Sequence, residues 1–234
     1  MLNNKVAYIT GGTKGIGLGI ASVLLNAGMK VAISGRNLED AQAAAKQLSE
    51  DSSRVLAIQS NVRNYEDEAN ALQEIKNAFG QIDLVVANAG LGHFAPVDEL
   101  SVEAWQDMID TNLTGVFHTL KASIDGLKKS EGYFISIASL AGTNFFANGA
   151  GYNASKFGVV GFTQAAMLDL RKYNVKVSTI MPGSVKSHFN NHEPSNDDAW
   201  KIQPEDIGQL IVDMMKMNPR TLPSKVEIRP TLPR

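Results

Sequence analysis

Three side chains in the middle of the chain have the types and spacing needed to act on a carbonyl group. Tyr152 and Lys156 are four residues apart in a segment, 152–162, that predicts a helix, so their side chains share one face. Ser139 lies thirteen residues before Tyr152 and directly follows a short apolar segment, 133–138, that predicts a buried strand. A hydroxyl, a phenol and an ammonium can therefore face one pocket.

This arrangement suits proton transfer. A phenol with an ordinary pKa of about 10 gives up its proton poorly near neutral pH. A cation about 4 Å away, at an effective dielectric constant near 20, contributes roughly 4 kcal/mol, or about three pKa units. We therefore expect Lys156 to lower the pKa of Tyr152. Taken alone, the pair is better explained as a half-buried tyrosine beside an exposed helix lysine, so the interpretation depends on the rest of the chain.

Short apolar strands alternate with helices along the chain. The pattern favours a parallel sheet covered by helices on both faces, with ligands at the carboxyl ends of its strands. Strands are predicted at 6–9, 30–34, 54–59, 82–87, 133–138 and 225–229. Helices are predicted from the glycine turn to about 27, after Asn37, at 65–79, over most of 104–127, around 152–162 and from Pro204.

The first strand runs directly into a glycine-rich turn, residues 10–17, and then into a helix. Gly11, Gly15 and Gly17 allow a tight turn and a close approach of the backbone to a ligand. The helix that follows offers unpaired N–H groups and the positive end of its dipole to a pyrophosphate. A glycine-rich connection without a ligand is the alternative, but the flanking strand and helix favour a dinucleotide.

The end of the second strand carries the residues that choose between the two nicotinamide dinucleotides. An acidic residue here would hold the ribose hydroxyls of NAD, whereas a nearby arginine accommodates the extra phosphate of NADP. This chain has Gly35 followed by Arg36, and Lys14 in the glycine loop supplies a second cation. We therefore expect NADP (NADPH) as the cofactor, with NAD less favoured; simple solvent exposure of the two cations is the alternative.

Composition limits the remaining classes of function. The chain has 234 residues, 44% of them hydrophobic, which suits one domain with a full core. A formal net charge of −2 gives no electrostatic argument for nucleic acid or a membrane surface. The absence of cysteine excludes disulfides and metal–thiolate sites and fits a cytoplasmic protein. No signal peptide or membrane-spanning segment is predicted.

Taken together, these motifs resemble those of the short-chain dehydrogenases/reductases over nearly the whole chain. The resemblance implies an α/β protein in which residues 1–234 form a single Rossmann-type domain, with a doubly wound parallel β-sheet and helices on both faces. Six segments carry it, in the family's order and spacing: Thr10-Gly11-x-x-x-Gly15-Ile16-Gly17, Asn88-Ala89-Gly90, Asn112 within 111–115, Ser139, Tyr152-x-x-x-Lys156 and Pro182-Gly183.

The resemblance also implies roles for individual residues. The catalytic residues would be Asn112, Ser139, Tyr152 and Lys156, with Asn112 holding a water and Lys156 binding the nicotinamide ribose. Asn61 stands where the family often has aspartate beside the adenine, and Ser187 where it commonly has threonine. The full set of residues implied to bind the cofactor is Gly11, Thr13, Lys14, Gly15, Ile16, Gly17, Arg36, Asn61, Val62, Asn88, Ala89, Gly90, Tyr152, Lys156, Pro182, Gly183, Val185 and Ser187.

The polar segment 184–203 predicts a short, mobile substrate lid that ends where a helix begins at Pro204. His188 and His192, within it, are expected to be solvated, and no metal site is predicted. His93 and Phe94 are candidates for lining the substrate pocket. Asp107 and Asp110 are expected to be acidic side chains on the protein surface. No residue of the chain is predicted to bind a metal ion.

The sequence predicts an NADP-dependent oxidoreductase, a carbonyl reductase or alcohol dehydrogenase, that interconverts a ketone or aldehyde and its alcohol by hydride transfer. A 3-oxoacyl-thioester reductase is an alternative, although the proline-containing tail after residue 229 weakens it. A non-catalytic dinucleotide-binding regulator would not need Ser139, Tyr152 and Lys156 together, and an isomerase, epimerase or dehydratase usually has a longer chain.

The resemblance further implies a homo-oligomer, a tetramer or dimer, in which the helices containing Asn112 and Tyr152 pair with their copies across a twofold axis. Gly158 and Gly161 would allow close helix approach in such a pair, although packing within the chain could use them instead. The small-molecule carbonyl or alcohol substrate is the only other partner predicted.

Overall fold

The computed structural model describes residues 2–232 and contains one seven-stranded sheet. The strands are β1 (Val6–Thr10), β2 (Lys30–Gly35), β3 (Val55–Gln59), β4 (Leu84–Ala87), β5 (Tyr133–Ile137), β6 (Lys176–Pro182) and β7 (Lys225–Ile228). All neighbours are parallel, in the order β3-β2-β1-β4-β5-β6-β7. The predicted parallel sheet is confirmed, and β6 is additional to the strands predicted from the sequence.

Within residues 2–232 there are seven α-helices: α1 (Gly15–Asn26), α2 (Leu38–Leu48), α3 (Tyr65–Phe79), α4 (Val102–Met108), α5 (Gly115–Ser130), α6 (Ala150–Leu170) and α7 (Pro204–Lys216). Asn37 is the N-cap of α2, as predicted, and its side chain accepts hydrogen bonds from the amides of Glu39 and Asp40. None of the helices in residues 2–232 is long and apolar enough to cross a bilayer.

Alternate residues of each strand pack against opposite layers of helices. In β1, Ala7 and Ile9 belong to the core formed with α1, α2 and α7, whereas Val6 and Tyr8 belong to the core formed with α3, α5 and α6. Apolar side chains are buried on both faces, which is the pattern of a doubly wound sheet. The fold is therefore the predicted α/β Rossmann-type architecture, with the switch in strand order between β1 and β4.

The helix predicted over 104–127 is interrupted by a π-helical turn, Ile109–Thr114, between α4 and α5. Asn112 lies within this turn and is fully buried. Its amide nitrogen donates to the carbonyl of Leu91 at 2.8 Å, and its oxygen accepts from the Leu91 amide at 2.8 Å. These bonds join the turn to the segment after β4. Single π-helical turns of this kind are often found at functional sites.

The two glycines of α6 have different surroundings. A Cβ at Gly158 would lie 2.8 Å from Cδ2 of Leu113, so this glycine allows α6 to pack against the π-helical turn of the same chain. A Cβ at Gly161 would meet nothing within 4 Å among the described residues. Packing within the chain therefore uses Gly158 and leaves the surface at Gly161 open.

Candidate active site

The glycine turn after β1 is fixed to the end of β4 by hydrogen bonds. The hydroxyl of Thr10 accepts from the amides of Asn88 and Ala89 at 3.0 and 3.1 Å. The side-chain amide of Asn88 donates back to the carbonyls of Thr10 and Gly11 at 2.9 and 3.1 Å. Gly11 has φ of +64°, and a Cβ there would lie 3.0 Å from Cα of Ala89, so the close contact requires glycine.

The amino end of α1 faces a cavity of about 470 Å³, which we call the loop cavity. Lys14 is the N-cap of α1 and makes no side-chain cap, and no acidic residue lies in the first turn. The amides of this turn and the helix dipole are therefore available to an anion. Of the residues predicted to bind the cofactor, the loop cavity is lined by Gly11, Thr13, Lys14, Gly15, Ile16, Arg36, Asn61, Val62, Asn88, Ala89, Gly90 and Ser187.

The two predicted cations, Lys14 and Arg36, line this same cavity. Among residues 2–232, no carboxylate lies within salt-bridge distance of either side chain, whereas the third cation of the wall, Arg63, is bound to Asp107 at 2.7 Å. Asp107 also lies 3.7 Å from Nε2 of His93. Asp107 is thus half-exposed, as expected, but it also holds two residues of the cavity wall.

Gly35, at the end of β2, packs directly on Thr13 of the glycine turn. A Cβ at residue 35 would lie 2.6 Å from Cγ2 of Thr13, well inside van der Waals contact. The turn therefore occupies the space that a side chain at the end of β2 would need, and the carboxylate that would hold NAD ribose hydroxyls has no room in this arrangement.

Asn61 and Val62 follow β3 at the far wall of the loop cavity. The Asn61 oxygen accepts from the amide of Arg63 at 3.2 Å, and its own backbone amide donates to Asp67 at 3.1 Å. Val62 is buried, and its carbonyl is in hydrogen-bond contact with Nδ1 of His118 at 3.0 Å. These hydrogen bonds hold Asn61 and Val62 against the loop cavity.

A second cavity, of about 720 Å³, adjoins the first along Ile16, Asn88, Gly90 and Ser187. We call it the tyrosine cavity because Tyr152 lies in its wall. The other predicted site residues that line it are Ser139, Lys156, Pro182, Gly183 and Val185. Asn112 and Gly17 line neither cavity. Asn112 is hydrogen-bonded to Leu91, and Gly17 packs against Gly11 and Asn88, all of which line the loop cavity.

Ser139 and Tyr152 meet in this cavity. Ser139 directly follows β5, and its oxygen accepts from the amide of Ala141 at 3.1 Å, which caps a short 3₁₀ turn and fixes the side chain. Burial raises the pKa of Tyr152 to about 12, and the neighbouring hydroxyl of Ser139 opposes this rise. The net direction is opposite to the lowering predicted from the Tyr152–Lys156 spacing, because loss of solvent dominates at the phenol.

Lys156 is buried one helical turn beyond Tyr152, and it is not the exposed lysine of the alternative interpretation. Its ammonium lies 5.7 Å from the centre of the tyrosine ring and donates to the carbonyl of Ile137 at 3.1 Å. Burial lowers the pKa of Lys156 to about 8. The ammonium therefore keeps its charge at neutral pH and stays close to the phenol.

Gly90 separates Asn112 from Lys156. A Cβ at residue 90 would lie 3.2 Å from Oδ1 of Asn112 and 3.5 Å from Nζ of Lys156, so only glycine leaves space between the two polar groups. The amide of Asn112 also donates to the hydroxyl of Ser155 at 2.9 Å, which joins the π-helical turn to α6. Asn112 thereby links the segment after β4 to the helix that carries Tyr152 and Lys156.

Two phenylalanines pack on the ring of Tyr152 and a third packs on one of them, and the sequence indicates only Phe94. Phe94 packs on Tyr152 with the ring centres 5.4 Å apart, and Phe189 does so at 5.5 Å. Phe146 contacts Phe94 at 5.9 Å. His93 and Phe94 were both candidates for lining the substrate pocket; His93 lines the loop cavity instead, and Phe94 lines neither cavity but packs on rings that line the tyrosine cavity. Phe146 and Phe189 lie in loops without a periodic pattern, so no sequence signal identifies them.

The segment 184–203 is held by a buried carboxylate that the sequence analysis did not identify. Asp198 accepts from Lys201 at 2.6 Å, from the amide of Ser195 at 3.0 Å and pairs with Nε2 of His192 at 2.7 Å. Val185 and Ile202, near the ends of the segment, form a parallel bridge. His192 is thus in hydrogen-bond contact with Asp198 and is not simply solvated as expected. Among residues 2–232, no group of three or more acidic or histidine side chains could hold a metal ion.

Comparison with known proteins identifies the family. A family model described as short chain dehydrogenase matches residues 5–198. The chain belongs to the short-chain dehydrogenase family. Among its relatives, uncharacterised oxidoreductases of Staphylococcus saprophyticus and Staphylococcus aureus strain MW2 are each 33% identical, and the alignments cover 98% of this chain and 98% and 99% of the relatives.

Solved structures of an alcohol dehydrogenase and of a short-chain oxidoreductase have the same fold. An alcohol dehydrogenase from the archaeon Thermococcus sibiricus, complexed with 5-hydroxy-NADP, superposes with a TM-score of 0.92 at 28% identity and 98% coverage of both chains. A metagenomic short-chain oxidoreductase in complex with NADP gives a TM-score of 0.85 at 29% identity, with 99% of each chain covered. The predicted membership of the short-chain dehydrogenases/reductases is therefore confirmed, and this chain is an oxidoreductase of that family.

Proposed function

We propose that this short-chain dehydrogenase is an NADP-dependent carbonyl reductase or alcohol dehydrogenase that interconverts a ketone or aldehyde and its alcohol. The observation that carries the proposal is the meeting of Ser139, Tyr152 and Lys156 in one cavity that adjoins the loop cavity. Complexes of two structural neighbours with NADP or a derivative of it support the choice of cofactor.

The loop cavity suits a nicotinamide dinucleotide. The uncapped amino end of α1 and the close backbone packing at Gly11 leave room and N–H donors for a pyrophosphate. Lys14 and Arg36, which have no carboxylate partner among residues 2–232, would bind the additional phosphate of NADP. Asn61 and Val62 would contact the adenine, and 182–187 would lie along the nicotinamide.

In the proposed reaction, each side chain of the tyrosine cavity has one task. The bound cofactor supplies or accepts the hydride. Ser139 donates a hydrogen bond to the carbonyl oxygen, and Tyr152 donates the proton that completes the alcohol. Burial keeps the phenol protonated until the ammonium of Lys156 stabilises the negative charge that develops on proton transfer. Asn112 positions the segment after β4 and α6 through its hydrogen bonds to Leu91 and Ser155.

A panel of ketones and aldehydes, followed by the loss of NADPH absorbance and repeated with NADH, tests this proposal. Turnover that requires NADPH is expected. Cofactor binding without turnover of any carbonyl compound or alcohol would instead favour the non-catalytic regulator. The 3-oxoacyl-thioester reductase remains a second candidate, and one 3-oxoacyl thioester in the panel distinguishes it from the simpler carbonyl reductases.

We further propose that the segment 184–203 closes over the substrate as a lid, and that the protein forms a homo-oligomer, a dimer or tetramer. The open surface at Gly161, with exposed Phe117, Phe157 and Leu168 on α5 and α6, supports a contact between copies through these helices. Light scattering at micromolar concentration measures the oligomeric state directly. A monomer under these conditions would contradict the second proposal.

A further inference from the structure

We propose that the substrate is an uncharged aldehyde or ketone with an aromatic ring next to its carbonyl, selected by Phe146 and Phe189, which pack on Phe94. This inference rests on the proposed carbonyl reductase function and narrows its substrate class. The three phenylalanines and Tyr152 are called the aromatic cluster below.

Phe94 is the centre of the aromatic cluster. Its ring lies 5.4 Å from Tyr152 at an interplanar angle of 65°, and 6.2 Å from Phe189 at 69°. Phe146 lies 5.9 Å away at 46°. These separations, and the edge-to-face angles of the first two pairs, are those of favourable aromatic contacts. The proton donor is therefore itself one ring of a packed aromatic wall.

The cluster is assembled from segments that are far apart in sequence. Phe94 follows β4, Phe146 follows β5, and Phe189 lies in the lid 184–203. Gly92 makes the assembly possible, because a Cβ there would lie 2.6 Å from Cζ of Phe189 and 3.0 Å from Cζ of Phe94. A side chain at residue 92 would force the two rings apart.

Two rings of the cluster present apolar surface to the tyrosine cavity. Phe146 and Phe189 line it, and they are 49% and 37% exposed. A substrate that packs against them removes this surface from water, which favours an apolar group beside the reacting carbonyl. A flat ring can also adopt the offset or edge-to-face arrangements that the cluster uses internally, which a saturated ring cannot.

The charges of the wall favour an uncharged substrate. Lys201 and Arg229 both line the tyrosine cavity, but Lys201 pairs with Asp198 at 2.6 Å, and Arg229 pairs with Glu227 at 3.2 Å. These carboxylate partners offset the two positive charges and so weaken their attraction for a substrate carboxylate. The remaining ammonium of the wall, that of Lys156, lies beside the phenol and is bound to Ile137.

The test compares benzaldehyde, cyclohexanecarbaldehyde and 4-formylbenzoate as substrates, with NADPH and then with NADH. The first two have the same number of carbon atoms and differ in aromaticity, and the third adds a carboxylate to the aromatic ring. We expect wild-type kcat/KM to be highest for benzaldehyde, by roughly tenfold over each of the others.

The aldehydes also differ in intrinsic reactivity. Comparing each variant with the wild type cancels this difference, because the same aldehydes are used for both proteins. Phe146→Leu and Phe189→Leu should each lower the ratio of kcat/KM for benzaldehyde to that for cyclohexanecarbaldehyde by about three- to tenfold relative to wild type. Tyr173→Leu is the matched control. Tyr173 has similar exposure, 39%, but its ring contacts Lys128 and Lys172 and lines neither cavity, so the ratio should not change.

Inhibition of the wild-type protein by benzyl alcohol and by cyclohexylmethanol compares an aromatic with a saturated ring without the use of a variant. We expect benzyl alcohol to bind more tightly. A ratio unchanged in both leucine variants, or wild-type preference for the saturated or the charged aldehyde, would overturn the inference and leave the proposed function intact. Absence of turnover of all three aldehydes and of the whole carbonyl panel with either cofactor would overturn both.

Discussion

The ammonium of Lys156 donates a hydrogen bond of 3.1 Å to the carbonyl oxygen of Ile137. Ile137 is the last residue of β5, so the bond ties the lysine to the carboxyl edge of the sheet, where the site is located. Lys156 is otherwise surrounded by protein, and burial lowers its pKa from 10.5 to about 8. The charge that the proposed reaction needs is therefore maintained at a cost to stability.

Lys156→Met should stabilise the folded protein at pH 7. A pKa difference from 10.5 to about 8 corresponds to about 3 kcal/mol, of which about 1 kcal/mol is offset by the lost hydrogen bond to Ile137. The folded-state pKa lies below the unfolded one, so the burial cost is fully present below pH 8 and disappears as the pH rises from 8 to 10.5. Urea unfolding at pH 7 and pH 10 measures the change.

Lys129→Met is the control, because Lys129 is exposed on α5 and its removal relieves no buried charge. We expect a change within about 0.5 kcal/mol for this control. If wild type and Lys156→Met had the same free energy of unfolding at pH 7, burial of the charged Lys156 would not destabilise the protein, and this prediction would be wrong. The variant should also lose cofactor affinity and turnover together, in keeping with the two tasks proposed for Lys156.

Tyr152→Phe should reduce turnover by about 10²–10⁴-fold, since the ring then has no proton to donate. The phenylalanine ring keeps the packing against Phe94 and Phe189, so cofactor affinity and the melting temperature should change little. Steady-state kinetics and fluorescence titration with NADPH measure the two effects separately. Retained turnover would exclude Tyr152 as the proton donor.

Arg36→Ala should raise the KM for NADPH by about tenfold and change that for NADH little. One charge-assisted hydrogen bond contributes roughly 1.5–3 kcal/mol, and solvent screening at the exposed Arg36 brings the effect to the lower end. Arg220→Ala, an exposed arginine beyond α7 that lines neither cavity, is the control. Wild-type protein that uses both cofactors equally well would show that Arg36 does not select the phosphate.

Asp198→Asn should loosen the segment 184–203, the proposed lid, and raise the KM for the carbonyl substrate several-fold. Hydrogen bonds from Lys201 and then from His192 hold the pKa of Asp198 well below 3.8, so its carboxylate stabilises the fold above that pH. This contribution is lost only as the pH falls through the lowered pKa. Limited proteolysis of residues 187–197 measures the loosening, and Asp197→Asn, at an exposed position, should leave the cleavage rate unchanged.

The carboxyl ends of six of the seven strands could be predicted from the sequence, because apolar strands and glycine turns are local patterns, whereas β6 was not predicted. Thr10, Ser139 and Gly35 all lie where the strand pattern places them, and α6 contains the predicted 152–162. The roles proposed for individual residues remain predictions. What the pattern could not show is how segments distant in sequence meet around those ends.

Two features of the site depend on such distant contacts. The π-helical turn contains Asn112, whose side chain is hydrogen-bonded to the backbone of Leu91, and no helical periodicity reveals this contact. Whether the pKa of Tyr152 is raised or lowered depends on how deeply the phenol is buried, whereas the sequence gives only the spacing between Tyr152 and Lys156. Both the aromatic cluster and the ion pairs of Asp198 lie in loops, where side-chain type carries little information about position.

The contact between Gly35 and Thr13 has a consequence for redesign of the cofactor preference. Because a Cβ at residue 35 would lie 2.6 Å from the methyl group of Thr13, an aspartate introduced there alone meets the glycine turn before it reaches a ribose. In a library that varies residue 35 by itself, every new side chain would therefore have to displace the Thr13 methyl group. Changing residues 13 and 35 together, with glycine or alanine at 13, opens a route toward NAD that single substitutions do not provide.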